Sequence, residues 1–139
     1  MNEKLTTELI LEVPFYDLDP MNVVWHGNYI KYFEKTRCKL LEQFNFGYVE
    51  MRDSGYMWPV VDLRVRYVNS ATFGQKIRCT ATIVEYENRL KINYEIRCID
   101  TGKRLTKGHT TQVAVDLNNL EMQLVSPKVL LRRLGVEDV

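Results

Sequence analysis

Residues 28–46 read NYIKYFEKTRCKLLEQFNF. Ile30, Phe33, Arg37, Leu40, Leu41 and Phe44 recur at steps of three and four, and Tyr29 and Tyr32 widen the stripe. Lys31, Lys35, Lys39 and Glu42 take the opposite side. That spacing belongs to an amphipathic helix of about five turns with one face against a core. Asn28 stands where an N-cap is expected, and Gly47 where a left-handed C-terminal residue is expected.

On both sides of this helix the period changes to two. Before it, in TTELILEVPFYD, Leu9, Leu11, Val13 and Phe15 fall on one face, and Pro14 places the end of that strand at an edge or a bulge. After it, a polar turn region, RDSGYMWP, leads into VVDLRVRYV, KIRCTATIVEY and RLKINYEIRCI, each alternating apolar with polar or small residues. A last strand runs from about Arg104 to Leu117, and SPKVLLRRL reads as a short helix with Pro127 in its first turn. Glu87-Asn88 and Asp100-Thr101-Gly102-Lys103 are hairpin connections, so the strands pair antiparallel. One helix cannot cover both faces of five strands, yet most strands carry one apolar face. The expected architecture is therefore α+β: a five-stranded antiparallel sheet with one long helix across its apolar face.

The whole chain narrows the choice of function. A length of 139 residues suits a single domain, residues 1–139, with a core that needs no staples. Nineteen basic against eighteen acidic residues leave a net charge of +1, too little excess to drive general nucleic-acid binding through counterion release. Cys38, Cys79 and Cys98 are odd in number and widely spaced, without a CxxC and without flanking histidines, so neither a disulfide framework nor a metal site is expected. The first residues hold no apolar run of signal-peptide length, and no later run would span a bilayer. A cytoplasmic setting is the resulting expectation.

The chemistry concentrates just before the long helix, in YDLDPMNVVWHGNY, residues 16–29, which holds one of the two histidines. A loop here brings Asp17 and Asp19 to a helix N-terminus, whose first N–H groups lack partners and whose dipole carries about half a positive charge. Such an end can stabilise a developing oxyanion, and a nearby carboxylate can act as nucleophile or general base. The same residue types also serve as plain helix caps, worth about 0.3–1 kcal/mol each.

The stretch YDLDPMNVVWHGNYIKYFEKTR resembles the hot dog fold thioesterases of the 4-hydroxybenzoyl-CoA thioesterase and YbgC type. Asp17, Asp19, Val23, Val24, Trp25, His26, Tyr29, Tyr32, Glu34 and Arg37 stand at that family's pattern positions. Further on, RYVNSATFGQKIRCTATI is similar to its strand–turn–strand signature, with Tyr67, Ala71 and Gly74 in place. The resemblance implies a sheet wrapped round a central helix, and hydrolysis of an acyl-CoA or acyl-carrier-protein thioester without metal or cofactor. It implies Asp19 as the catalytic carboxylate, a backbone N–H near His26 as the electrophile and the His26 side chain as a helper. Asn22, Val24, Trp25 and Asn28 become the substrate-binding positions, with Trp25 lining the acyl or pantetheine channel. It also implies edge-to-edge homodimers with sites between subunits, paired again into homotetramers.

Two departures stand out. Asn22 replaces the usual turn glycine, as a residue that tolerates positive φ or as one whose amide enters the pocket. Phe15 replaces a tyrosine of the YbgC branch. Glu34 and Arg37 read as an i, i+3 pair. Arg64, Arg66, Lys128, Arg132 and Arg133 are either coenzyme A phosphate contacts or a solvated face. The alternative reading is a non-hydrolytic hot dog protein, a dehydratase or an acyl-binding regulator. It is disfavoured because Glu34, the next acid after His26, lies two helical turns away.

Overall fold

A computed structural model of the chain describes residues 5–136. Strand β1 (Thr6–Glu12) leads through a 3₁₀ turn (Phe15–Asp17) and a loop into helix α1 (Asn28–Glu42), followed by a short helix α2 (Tyr48–Asp53). Then come β2 (Tyr56–Met57), β3 (Val60–Tyr67), β4 (Lys76–Glu85), β5 (Leu90–Cys98), β6 (Arg104–Gln112), β7 (Val115–Asp116) and α3 (Lys128–Leu134). The main sheet has the order β1-β4-β5-β6-β3, antiparallel at every junction. β2 and β7 form a separate pair. The α+β layering expected from the period change is the observed one.

Period two decides which side chains enter the core. Ile77, Cys79, Ala81 and Ile83 of β4, and Leu90, Ile92, Tyr94, Ile96 and Cys98 of β5, are all buried on the face that α1 covers. On α1 the buried residues are Tyr29, Tyr32, Phe33, Thr36, Leu40 and Leu41. The helix is thus turned from the stripe read in the sequence, with Ile30, Arg37 and Phe44 at its margin. The hydroxyls explain the turn. Tyr32 and Thr36 donate to Asp17 and to the Tyr32 carbonyl, and the Tyr29 oxygen accepts the Ala71 N–H, so each can be buried without an unpaired polar atom.

The helix also ends differently from the sequence reading. Gly47 is extended, with φ −71° and ψ −172°, and starts α2; Asn45 takes the left-handed position at φ 54°. The Phe46 N–H then returns to the Leu41 carbonyl in a Schellman-type closure, and Phe46 is fully buried with its ring edge-on to Trp58. The last long strand stops at Gln112, and the chain bends to pair β7 with β2 instead of running straight to Leu117. At the helix start, the N-cap is Gly27 and Asn28 is the first helical residue.

One glycine sets the spacing between helix and sheet. Phe33 stacks on Tyr94 with ring centroids 4.5 Å apart and planes within 8°. A Cβ on neighbouring Gly108 would stand 2.9 Å from the Phe33 ring and 2.2 Å from the Arg64 carbonyl of β3. Gly108→Ala therefore forces both α1 and the edge strand outward. It should cost about 1–3 kcal/mol, as overpacking does, measured as a lower denaturation midpoint; unchanged stability would contradict this packing.

Candidate active site

The loop between β1 and α1 is held at each step by its own backbone. The Asp17 N–H donates to Pro14, the Asp19 N–H to Val23 and the Asn22 N–H to Asp19, which closes a tight turn over residues 19–23. Asn22 occupies the left-handed region there, at φ 63°. Leu18 then bridges to Val24, and the Val24 N–H donates to Ala71, fixing the loop to the segment between β3 and β4. The Trp25 N–H donates to the Asp17 carbonyl, which also accepts the Asn28 side-chain amide at 2.8 Å.

The two acids have separate places. Asp17 is 3% exposed, and its carboxylate accepts Tyr32 Oη and Lys31 Nζ, each at 2.7 Å. Burial pushes its pKa up, but the hydrogen bonds from Lys31 and Tyr32 and the charges of Lys31 and Lys35 outweigh this and hold it below the ordinary 3.8. Asp17 therefore ties the loop to the first turns of α1. Asp19 is only part-buried; one carboxylate oxygen accepts the Met21 N–H at 2.8 Å, and the other has no partner among the described residues.

Asp19, Val23, Val24, His26, Tyr29 and Tyr67, with Asn69 and Ser70, line one cleft of about 200 Å³. Beside it lie the N–H groups of His26 and Gly27, which donate to no acceptor among the described residues. Three sequence-derived site residues, Asp19, Val24 and His26, thus come together. Three others stand outside the lining: Asn22 at the turn, Asn28 with its amide bonded to Asp17, and Trp25, whose ring packs over Gly27. A Cβ at Gly27 would lie 2.2 Å from that ring, so a larger residue there would have to displace the Trp25 ring.

Tyr67, Asn69 and Ser70 were not singled out as site residues. They arrive from the end of β3, some forty residues along the chain, and the only sequence signal for them is the RYVNSATFG match. Among the described residues, no group of three or more His, Cys, Asp or Glu could hold a metal ion. Chemically, the cleft offers a part-exposed carboxylate, an imidazole and unpaired N–H donors at the positive end of a helix. That set can polarise a carbonyl and deliver a nucleophile to it.

The model of the thioesterase-like superfamily matches residues 13–134. The chain belongs to that superfamily. It is similar to a Synechocystis protein named as an esterase, sll0410, at 30% identity over 110 residues, 78% of this chain and 66% of that one, so it spans just under two thirds of that relative. It is 28% identical to a Bacillus subtilis protein named as an acyl-CoA thioesterase, YneP, over 76% of this chain and 77% of that one. Among solved structures, a DHNA-CoA thioesterase from Staphylococcus aureus superposes with a TM-score of 0.76 at 27% identity, covering 84% of this chain and 78% of the other. The fold is the hot dog fold.

The geometry separates the effects of the two acids. Asp17→Asn should lower stability at pH 7 by about 1–3 kcal/mol, since it leaves the buried Tyr32 hydroxyl and the half-exposed Lys31 ammonium without a charged acceptor. Because Asp17 holds its proton less tightly in the folded chain than in the unfolded one, its contribution is present above the ordinary value of 3.8 and is lost as pH falls through its lowered pKa. The stability difference between wild type and variant should therefore shrink in acid unfolding scans below about pH 4; a difference that grows with acidity would contradict the assignment.

Proposed function

We propose that this superfamily member hydrolyses an acyl-CoA thioester to a free acid and a thiol. The observation that carries this is the placement of Asp19 and His26 on one cleft, at a helix start where the His26 and Gly27 N–H groups have no acceptor among the described residues. Of the relatives named above, two are named as CoA thioesterases and one as an esterase, which supports the reading. Asp19 removes a proton from water, the hydroxide adds to the thioester carbon, and the carbonyl oxygen becomes an oxyanion facing the helix start. As the tetrahedral species collapses, the C–S bond breaks and the thiolate takes the proton. Alternatively, an Asp19 oxygen adds directly, expels the thiol as an anhydride forms, and water then cleaves the anhydride. The His26 side chain orients the substrate or carries the proton. Val24 forms a wall, and Trp25 and Asn28 act by shaping the Gly27 approach and the loop. No metal or added cofactor is required, and the working place is the cytoplasm.

Asp19→Asn keeps the shape and removes the charge. Thiol release from a panel of aromatic, short, medium and long acyl-CoAs should fall at least about 10²-fold, with the thermal midpoint retained. Near-normal turnover in the variant would sink the assignment. The panel also tells acyl preference, and acyl carrier protein as substrate is a further arm. The dehydratase alternative loses ground because Glu34, its required acid, is paired with Arg37 on α1.

The assembly reading is a homodimer across β3, paired again into a homotetramer. β3 is a sheet edge, and Val61 (56% exposed) and Leu63 (40%) lie uncovered along it. Edges of this kind are paired, covered or charged in stable proteins, and an edge-to-edge two-fold contact is self-complementary. The cleft is walled by Tyr67 at the end of the same strand, so a partner on β3 would complete it. Light scattering at micromolar concentration should give two or four times 16.4 kDa. Leu63→Lys should reduce the mass towards that of one chain and abolish thiol release with secondary structure intact. A fully active monomer would contradict the shared site.

A further inference from the structure

We infer that Tyr67 is a positioning residue for the oxyanion donor: its hydroxyl holds and polarises the peptide group between His26 and Gly27. The inference rests on the thioesterase reading of the cleft. Tyr67 Oη donates to the His26 carbonyl oxygen at 2.7 Å. That carbonyl and the Gly27 N–H belong to one planar peptide unit. A hydrogen bond accepted by the carbonyl draws electron density from the nitrogen and makes the N–H on the other side a stronger donor, the cooperative effect seen in hydrogen-bonded chains. The Gly27 N–H is one of the two at the helix start with no acceptor among the described residues. The tyrosine therefore acts on an N–H that is free for a ligand.

The surroundings favour the effect. The Trp25 ring lies over Gly27 and packs against one side of this peptide. The Tyr67 ring is held edge-on to His26 (6.3 Å) and to Tyr29 (5.5 Å). Tyr29 is in turn fixed by the Ala71 N–H at 3.0 Å. Burial also keeps the Tyr67 hydroxyl above the ordinary 10.0, so it remains a donor throughout the working pH range. Since Tyr67 ends the edge strand β3, the same contact ties the position of that edge to the donor peptide.

Tyr67→Phe removes one oxygen and keeps the ring packing. Two measurements test it. In the protein without ligand, the Gly27 amide proton should move upfield by NMR relative to wild type, with the other amides of the loop little changed. In thiol-release assays on benzoyl-CoA and octanoyl-CoA, kcat should fall about 5- to 30-fold, less than loss of a direct oxyanion donor, with KM within about twofold and with thermal midpoint and mass unchanged. An unmoved Gly27 amide, or a kcat equal to wild type in an active preparation, overturns the inference. A rise in KM alone also overturns it, since that is the mark of a simple binding contact. A wild type that releases thiol from neither compound overturns the reading of the cleft and the catalytic part of this proposal with it; the amide shift then still decides whether Tyr67 polarises the peptide.

Discussion

The buried carboxylate of Asp17 is the contact on which the cleft depends. It takes hydrogen bonds from Tyr32 and Lys31 of α1, while its own carbonyl takes the N–H of Trp25 and the side-chain amide of Asn28. Four donors, three from the first turns of α1 and one from Trp25 just before it, thus converge on one residue of the incoming loop. A negative charge near a helix N-terminus is favourable through the macrodipole, but here burial makes the pairing obligatory, because a lone carboxylate in that place would cost far more than it returns. With Asp17 fixed, the turn over residues 19–23 has little freedom, and Asp19 is set beside the first amides of α1. The buried acid thereby positions the part-exposed one, Asp19.

The same end of the helix has been left deficient. Its N-cap is a glycine without a side-chain cap, and the His26 and Gly27 N–H groups have no acceptor among the described residues. A Ser, Thr or Asp at the cap would contribute about 1 kcal/mol to stability. Forgoing that stabilisation leaves donors available to a ligand, and Gly27 also lets the Trp25 ring pack over the helix start without displacement. Rules of local structure are commonly broken at functional sites, with compensation nearby; here the compensation is the Asp17 network.

How much of this was legible depended on the range over which each feature is decided. The change from period two to the helical period and back marked out β1, α1 and the four long strands, because each carries enough turns or alternations to be read. α2, β2 and β7 have six, two and two residues, too few to show a period. The rotation of α1 came from Tyr29, Tyr32 and Thr36, which count as polar in a pattern but bury well once their hydroxyls are paired. Asn45 and Gly47 both suit a left-handed helix end; the choice was made by Phe46, which must return to the core. Of the site, Asp19 and His26 were legible through the motif, whereas Tyr67, Asn69 and Ser70 reach the cleft through long-range sheet pairing. The different fates of Asp17 and Asp19, two residues apart, are set by Tyr32 and Lys31 a full loop away.

In the proposed reaction the amides at the start of α1 receive the substrate carbonyl. This is tested most directly by titrating the ¹⁵N-labelled protein with an acyl-CoA analogue in which a methylene replaces the thioester sulfur, so that an uncleaved ketone is presented. Saturable downfield shifts of the His26 and Gly27 amide protons are expected, the largest in the spectrum and reduced when Asp17 is replaced by Asn. Saturable binding with shifts confined to other residues, and none at His26 or Gly27, would contradict it.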